Sequence, residues 1–248
     1  SVDKEIWIHK QERFTLNVNY FHVVFTIPNE LNVLCLIDPK FMYKVLFDIS
    51  AETIKELSKD KKYLGAKIGF TSVLHTWGQN LSLHPHLHCI VPDGGMTKQG
   101  KWRPKIKSNK YLFSVKAMSQ VFRAKFCQKL KVNCAEDYEK IREKLWEKKW
   151  VVYAKRPFGG PKQVIEYLGR YTHKVAISNH RIKEVTDQRV RFSYKDYRKG
   201  GEKKEMTLSN QEFIRCLTLH ILPKRYVRIR HYGIVSICLF YTSDSSDS

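Results

Sequence analysis

The stretch that decides the fold is residues 67–91, KIGFTSVLHTWGQNLSLHPHLHCIV. Its two halves, Lys67–Trp77 and His86–Val91, are rich in aromatic and β-branched residues, a composition typical of β-strands. The short segment between them contains Gly78, Asn80 and Pro85, residue types that favour a hairpin or near-hairpin turn. The sequence therefore predicts two neighbouring antiparallel strands joined by a hairpin or a near-hairpin turn.

Outward from this hairpin, helices alternate irregularly with further strands. A strand begins at Tyr20 and stops before Pro28, and apolar residues at helical spacing predict helices over Pro39–Leu57 and 115–150. The other predicted elements are a strand at Val151–Ala154, a helix from Pro161 to Thr172, strands at Val175–Ser178, Arg189–Tyr194 and Val227–Tyr232, and a helix at about 210–221. Because regular βαβ alternation is absent from this order, we predict an α+β fold in one domain, with a central antiparallel β-sheet flanked by helices.

The chain has 248 residues and a formal net charge of +21, with 45 Lys and Arg against 24 Asp and Glu. This charge predicts a polyanionic partner, a nucleic acid before an anionic membrane face. Hydrophobic residues make up 42% of the chain, enough for a packed core, which excludes a basic disordered tail protein. Because no apolar run reaches the roughly 18–20 residues of a membrane span and the N-terminus lacks a signal-peptide layout, we expect a cytoplasmic protein without a membrane partner. The six Cys residues have no C-x-x-C spacing and are predicted to be free thiols.

Four of the ten histidines lie within fourteen residues, at His75, His84, His86 and His88. In a strand, His86 and His88 lie on one face, and the leucine between them lies on the other face, towards the core. Two neutral imidazoles on a rigid strand form half of a divalent-metal site, so a third ligand must come from a neighbouring element. His75 is the first choice, and Gln79 and His84 are alternatives. An exposed or hydrogen-bonded histidine pair is the competing interpretation, because about 0.4 His-x-His tripeptides are expected here by chance.

The second motif is Tyr167-Leu168-Gly169-Arg170-Tyr171. If this segment is helical, the two phenols lie four residues apart on one face, a spacing that packing alone also produces. Gly169 costs about 1 kcal/mol relative to Ala inside a helix, and it fits a close approach by a strand or a nucleic-acid backbone. A phenol with a pKa of about 10 is a weak nucleophile, and a divalent ion on a phosphate oxygen would activate its target. Together the two motifs predict attack on a phosphodiester, with Tyr167 and Tyr171 as catalytic nucleophiles.

Basic residues alternate with aromatic residues in several segments, a mixture typical of proteins that bind single-stranded nucleic acids. Such segments lie at 101–103, 155–158, 194–199 and 224–230. If Val227–Tyr232 is a strand, Arg228 and Arg230 share one face and could follow a phosphate backbone. The candidate DNA-contacting residues are Lys155, Arg156, Arg170, Lys174, Arg228 and Arg230. A solvated sheet face is the competing interpretation of each segment.

Over about residues 20–233, the chain resembles the two-tyrosine HUH transposases of rolling-circle insertion sequences. The motifs that carry the resemblance are HTWGQN at 75–80, HPHLH at 84–88, FGGP at 158–161 and YLGRYTH at 167–173. The resemblance implies an HUH endonuclease-like fold, Mg²⁺ or Mn²⁺ as cofactor, and single-stranded DNA from element ends and target as partner. It also implies cleavage through a 5′-phosphotyrosine with release of a 3′-hydroxyl, in the bacterial cytoplasm at the nucleoid. By motif, His86 and His88 take the role of metal ligands and Tyr167 and Tyr171 that of nucleophiles.

The resemblance divides the chain into a short extension at 1–19, a catalytic domain at 20–233 and an atypical tail at 234–248 that we expect to be disordered. Members of the family usually carry a Cys-rich zinc-binding region before the strand at Tyr20, and residues 1–19 contain no Cys. Two other functions stay open at this point. One is a catalytically inactive basic module that binds single-stranded nucleic acid. The other is a metal hydrolase that uses His75, His86 and His88, which explains neither the tyrosine pair nor the charge.

Overall fold

A computed structural model describes residues 16–105, 112–158, 163–164, 176–197 and 200–235. The strands in these ranges are β1 (Tyr20–Thr26), β2 (Phe70–Trp77), β3 (Leu83–Pro92), β4 (Gly94–Met96), β5 (Trp102–Pro104), β6 (Val152–Phe158), β7 (Ile182–Val185), β8 (Arg189–Asp196), β9 (Glu202–Ser209) and β10 (Ile229–Tyr232). The helices are α1 (Asn32–Ile37), α2 (Pro39–Lys59), α3 (Val115–Asn133), α4 (Ala135–Glu147) and α5 (Asn210–Thr218). The central sheet has the order β10–β2–β3–β1–β6, and all its neighbours are antiparallel. The predicted α+β class with a central antiparallel sheet is therefore confirmed.

The pairing of β2 with β3 sets the register of the central sheet. His75 lies opposite His86 in this antiparallel pair, which confirms the predicted hairpin. Strand β3 begins at Leu83 rather than at His86, so Pro85 lies in the strand and not in the turn. β2 begins at Phe70 rather than at Lys67, because Lys67 forms only an isolated bridge outside the sheet. Alternation along β3 sends Leu87 into the core, where it is fully buried, and leaves its histidine neighbours on the opposite face.

The main core lies between the central sheet and helices α2 and α3. Helix α2 begins at Pro39, whose fixed φ suits the first turn, and the Asp38 side chain caps it by accepting a hydrogen bond from the Phe41 backbone N–H at 2.9 Å. The Phe122 ring of α3 lies 5.0 Å from the Phe25 ring, between centroids, and closes the core over β1. Among helices in the described parts of the chain, none combines the length and the apolar character needed to cross a membrane.

Strands β7, β8 and β9 form a second, three-stranded antiparallel sheet, and α5 covers one of its faces. Phe192 of this sheet and Phe213 of α5 form a small separate core together with Leu81, which belongs to the turn between β2 and β3. The Nε2–H of His220 donates to the Leu81 carbonyl at 3.0 Å. The small sheet is thus packed against the turn that joins the two histidine-bearing strands.

Some predicted elements differ from the structure, and strand β9 was not predicted. The helical region at 115–150 is two helices, because the backbone at Cys134 leaves the helical conformation with φ of −141°. The strand predicted at Val175–Ser178 is wrong for residues 176–178, where Ile177 instead packs irregularly into the small core. The sequence hides strand β9 because half of its residues are charged, most are exposed, and only Met206 and Leu208 face the small core.

Candidate functional site

Three histidines meet on the face of the central sheet opposite the main core. His75, His86 and His88 each offer a ring nitrogen, and these nitrogens all lie within 4.8 Å of one another. We call these residues the histidine trio. The ring centroids of His75 and His88 are 4.5 Å apart, and those of His86 and His88 are 4.8 Å apart. The choice of His75 to complete the pair on β3 agrees with this geometry.

The orientation of the His86 ring follows from its own strand. Its Nδ1–H donates to the backbone carbonyl of His84 at 2.6 Å. A carbonyl can only accept, so this bond sets the tautomer of His86 and leaves the lone pair on Nε2. His84 itself stands beside His86, with ring centroids 5.3 Å apart, and is not part of the trio.

The orientation of the His88 ring depends on His22 of β1, a residue that the sequence analysis missed. His22 Nε2 and His88 Nδ1 are 2.8 Å apart, and the two rings stack with centroids 5.0 Å apart. Both side chains are buried, with 4% and 8% of their surface exposed. If His88 bound a metal through Nε2, its Nδ1–H would donate to His22, an arrangement typical of the outer partners of metal-binding histidines. Alternation along β1 is the feature that could have identified His22. His22 and Val24 share a face of β1, and Val24 lies opposite His88 in the paired strand β3.

His75 is held by burial and by stacking. Only 3% of its surface is exposed, and its ring stacks on Trp77 with centroids 4.6 Å apart and planes 16° apart. Gln79, the other alternative ligand, lines a neighbouring cavity. Trp77, the last residue of β2, thus lies between the trio and the cavity beside the small sheet.

The donor set of the trio fits a divalent metal ion. Imidazole nitrogens bind first-row transition metals such as Mn²⁺, Ni²⁺ and Zn²⁺, and three ligands on one side leave other coordination positions for oxygen atoms. Two strands of a rigid sheet hold the three rings, so little ordering is required on binding. Within the described residues, the trio is the group of His, Cys, Asp and Glu side chains that could hold a metal.

The predicted nucleophiles Tyr167 and Tyr171 lie outside the described residues, as do Arg170 and Lys174. The segment just before them is described at 163–164, where Val164 is helical and only 2% exposed. Val164 packs in a small cluster with Val73, Ile90 and Tyr20. This cluster lies on the same face of the sheet as the trio, because Val73 is the register partner of His88.

Four of the predicted DNA-contacting residues are described, and they lie in or beside the two edge strands of the central sheet, whereas Arg170 and Lys174 lie outside the described residues. Lys155 and Arg156 belong to edge strand β6, where the backbone of Lys155 pairs with that of His22. At the other edge, Arg228 precedes β10, and burial lowers the pKa of its guanidinium. Arg230 lies on the core side of the sheet, where its guanidinium stacks over Phe47 at 4.2 Å. The two arginines are therefore held differently, and DNA contact by either stays a prediction.

These features define a strongly basic α+β protein with a candidate metal-binding site on one face of an antiparallel sheet. The protein family described as "Putative transposase" matches residues 69–240, more than half of the chain and including the whole trio. The chain belongs to this transposase family, which confirms the resemblance found in the sequence motifs.

Two curated relatives extend the match towards the N-terminus. The chain is 42% identical over 251 residues to "Putative transposase y4qJ" of Sinorhizobium fredii, an alignment that covers 95% of this chain and 63% of the relative. It is 27% identical over 241 residues to "Transposase for insertion sequence element IS801" of Pseudomonas savastanoi pv. phaseolicola, which covers 93% of this chain and 57% of the relative. The chain thus spans about three fifths of the length of these relatives. No solved structure gives a significant match.

Proposed function

We propose that this chain is the catalytic part of a transposase that cleaves and rejoins single-stranded DNA by tyrosine attack, assisted by Mg²⁺ or Mn²⁺. The histidine trio carries the proposal, because it gathers three metal-binding nitrogens within 4.8 Å on a rigid sheet in a member of a transposase family. In this proposal the protein acts in the cytoplasm and is associated with the nucleoid while it is bound to DNA.

His75, His86 and His88 would hold the metal through their ring nitrogens, with the other ring nitrogen of His86 and of His88 engaged by His84 and His22. The bound ion would polarise a phosphate oxygen and stabilise the charge that develops on the phosphate during substitution. Imidazole ligands carry no negative charge, so they would not neutralise the positive charge of the ion.

Tyr167 and Tyr171 would supply the nucleophile in the proposed reaction. The phenolic oxygen loses its proton and bonds to phosphorus, while the bond from phosphorus to the 3′-oxygen breaks and that oxygen takes up a proton. The products are a 5′-phosphotyrosine and a free 3′-hydroxyl. This route conserves the phosphodiester bond energy, so a 3′-hydroxyl can later attack the phosphotyrosine and rejoin DNA. Two tyrosines allow two successive covalent steps, one for cleavage and one for strand exchange.

Support for a covalent step on this face comes from the chain position of the tyrosines. Val164 packs against Val73 beside the trio, and Tyr167 follows three residues later. Support for a single DNA strand comes from the net charge of +21 and from the mixture of cations and rings. The proposed phosphate contacts are Lys155, Arg156, Arg170, Lys174, Arg228 and Arg230.

The test is the formation of a covalent protein–DNA adduct. The chain is incubated with labelled single-stranded oligonucleotides and Mn²⁺, and adducts are detected by SDS gel electrophoresis. We expect an SDS-stable adduct that disappears when both nucleophiles are replaced, in the Tyr167→Phe, Tyr171→Phe double variant. Tyr153→Phe is the matched control, because Tyr153 is an exposed tyrosine whose register places it on the same sheet face.

Three results would contradict the proposal. DNA binding with neither adduct nor cleavage, over many sequences, would indicate the inactive binding module. Cleavage that persists in the double variant would indicate a hydrolase that uses a metal-activated water. An adduct that is insensitive to EDTA and to His86→Ala would exclude the metal at the trio.

A further inference from the structure

A second concave site lies beside the histidine trio, between the turn after β2 and the small sheet. It is a cavity of about 440 Å³. Its walls include the side chains of Trp77, Arg181, Tyr194, Lys195, Tyr197 and Lys203. Three of these side chains are aromatic and three are cationic. Among the described residues that line the cavity there is no Asp or Glu. Its composition therefore suits an anion that carries a flat ring.

Two of the cations are placed against each other. Lys195 of β8 and Lys203 of β9 are directly opposite in the antiparallel ladder. Like charges at such positions destabilise a sheet unless a counter-charge lies between them. Elsewhere in the same ladder, Lys204 pairs with Asp196 at 2.8 Å. Within the part of the chain that the structure describes, Lys195 and Lys203 have no carboxylate within ion-pair distance, and both line the cavity, so an anion bound between them would relieve their repulsion.

The Arg181 side chain holds a third positive charge at the cavity wall. Its Nε–H donates to the Ser193 carbonyl at 2.8 Å, and its Nη2 donates to the Gln79 carbonyl. Both acceptors are neutral, so these bonds orient the guanidinium without cancelling its charge. They also tie the turn after β2 to strand β8, which keeps the two walls of the cavity in place.

The aromatic side chains connect this cavity to the trio. Trp77 lines the cavity and stacks on His75, a member of the trio. Tyr197 is 70% exposed and needs no burial to serve the fold, so it is available for stacking by a ligand. A base held here would lie one aromatic ring away from the candidate metal.

We propose that this cavity binds one nucleotide of single-stranded DNA next to the phosphate that is cleaved. The base stacks on the aromatic side chains, and the adjoining phosphate lies between Lys195 and Lys203. The volume falls within the range of about 300–1,000 Å³ of small-ligand sites, so it admits one extruded nucleotide and excludes a duplex. This assignment rests on the proposed function, because it takes the trio as the cleavage centre.

The first test measures how DNA binding depends on salt. Fluorescence anisotropy with a fluorescein-labelled 20-nucleotide single strand compares the chain with the Lys195→Gln, Lys203→Gln double variant, in EDTA to suppress cleavage. The plot of log affinity against log salt should become shallower by about 0.7 for each phosphate that the variant no longer neutralises. The matched control is Lys129→Gln, Lys131→Gln, which removes the same charge from exposed positions on α3. We expect about three- to tenfold weaker binding for the cavity variant only.

The second test maps the base. Single strands containing 5-iodouracil are irradiated in complex with the chain, and mass spectrometry identifies the crosslinked residue. We expect crosslinks at Trp77, Tyr194 or Tyr197, and we expect Tyr197→Ala to weaken binding about fivefold or more.

A salt slope that changes equally in the control variant, or crosslinks confined to other residues, would overturn the assignment. If no covalent adduct forms while these variants still weaken binding, the cleavage mechanism fails and nucleotide binding stands. If the adduct forms and the variants bind as the parent does, the cavity assignment fails alone.

Discussion

Replacing His22 by Phe should weaken metal binding at the trio by about 10- to 100-fold. His22 Nε2 and His88 Nδ1 lie 2.8 Å apart, and if His88 bound a metal through Nε2, its Nδ1–H would donate to His22, so this hydrogen bond would set which ring nitrogen of His88 is available to the metal. Phe keeps the size and the planar shape of the side chain but removes the acceptor. Both rings are buried, so solvent does not readily replace the missing bond.

The magnitude follows from two independent considerations. Loss of an outer partner of a metal-binding histidine costs about 10- to 100-fold in metal affinity, which is about 1.4–2.7 kcal/mol. Leaving a buried N–H without its acceptor costs about 1–3 kcal/mol, and this cost falls on the same tautomer that binds the metal. The two ranges overlap, so we expect a loss of about 2 kcal/mol.

The assay is Mn²⁺ titration followed by electron paramagnetic resonance, which measures bound metal without any DNA cleavage. His22→Gln keeps an acceptor oxygen and should recover part of the affinity. His231→Phe is the matched control, because His231 pairs with Thr71 on the adjoining β10–β2 edge and lies outside the trio. Parent-like Mn²⁺ affinity in a folded His22→Phe variant, or an equal loss in His231→Phe, would refute the positioning role of His22.

Three further predictions concern stability, each measured by urea unfolding. Gly233→Ala should destabilise the fold by about 2 kcal/mol or more, because φ is +61° and a Cβ would lie 2.3 Å from the Ile68 carbonyl oxygen. The control is Gly100→Ala, which should cost only about 1 kcal/mol because Gly100 has φ of +74° but lies in open space. Equal losses in the two variants would contradict the steric argument. Phe122→Ala should cost about 3–5 kcal/mol by leaving a cavity in the main core, and a loss below about 1 kcal/mol would show that the site collapses freely. Burial raises the pKa of the Cys35 and Cys89 thiols from 9.0 to about 12, so above pH 9 they ionise more readily in the unfolded chain than in the folded one. The contribution of each thiol to the free energy of unfolding should therefore be complete below pH 9 and fall by about 1.4 kcal/mol per pH unit as pH rises from 9 towards 12. Cys35→Ala should reduce that slope, and an unchanged slope would exclude this thiol as a cause.

Elements with strong hydrophobic periodicity could be predicted from the sequence. Helix α2 begins at Pro39 as predicted and extends two residues beyond the predicted end, because its buried apolar residues recur at helical spacing along almost its whole length. Strand β1 ends at Thr26, two residues before Pro28. Strand β9 could not be predicted in the same way, because one of its faces is solvated and its charged residues hide the alternation.

The candidate site, too, could be predicted from the sequence only in part. Alternation within β3 determined from the sequence alone that His86 and His88 share a face and that Leu87 enters the core, because this is a local property of an extended chain. The identity of His22 as a partner of His88 was decided only by the tertiary structure. These residues are 66 positions apart, and their contact depends on β1 being the strand that pairs with β3.

The cavity beside the trio shows the same limit more strongly. Trp77 and Lys203 line it from opposite walls although 126 positions separate them in the chain. The sequence determined the charge, the histidine pair and the tyrosine motif, because composition and short-range spacing are written in neighbouring residues. The order of the strands and the packing of the small sheet on the turn at Leu81 decided which of these residues meet. Which residues meet depends on the tertiary structure, because the apolar faces of distant segments must be buried against each other in one fold.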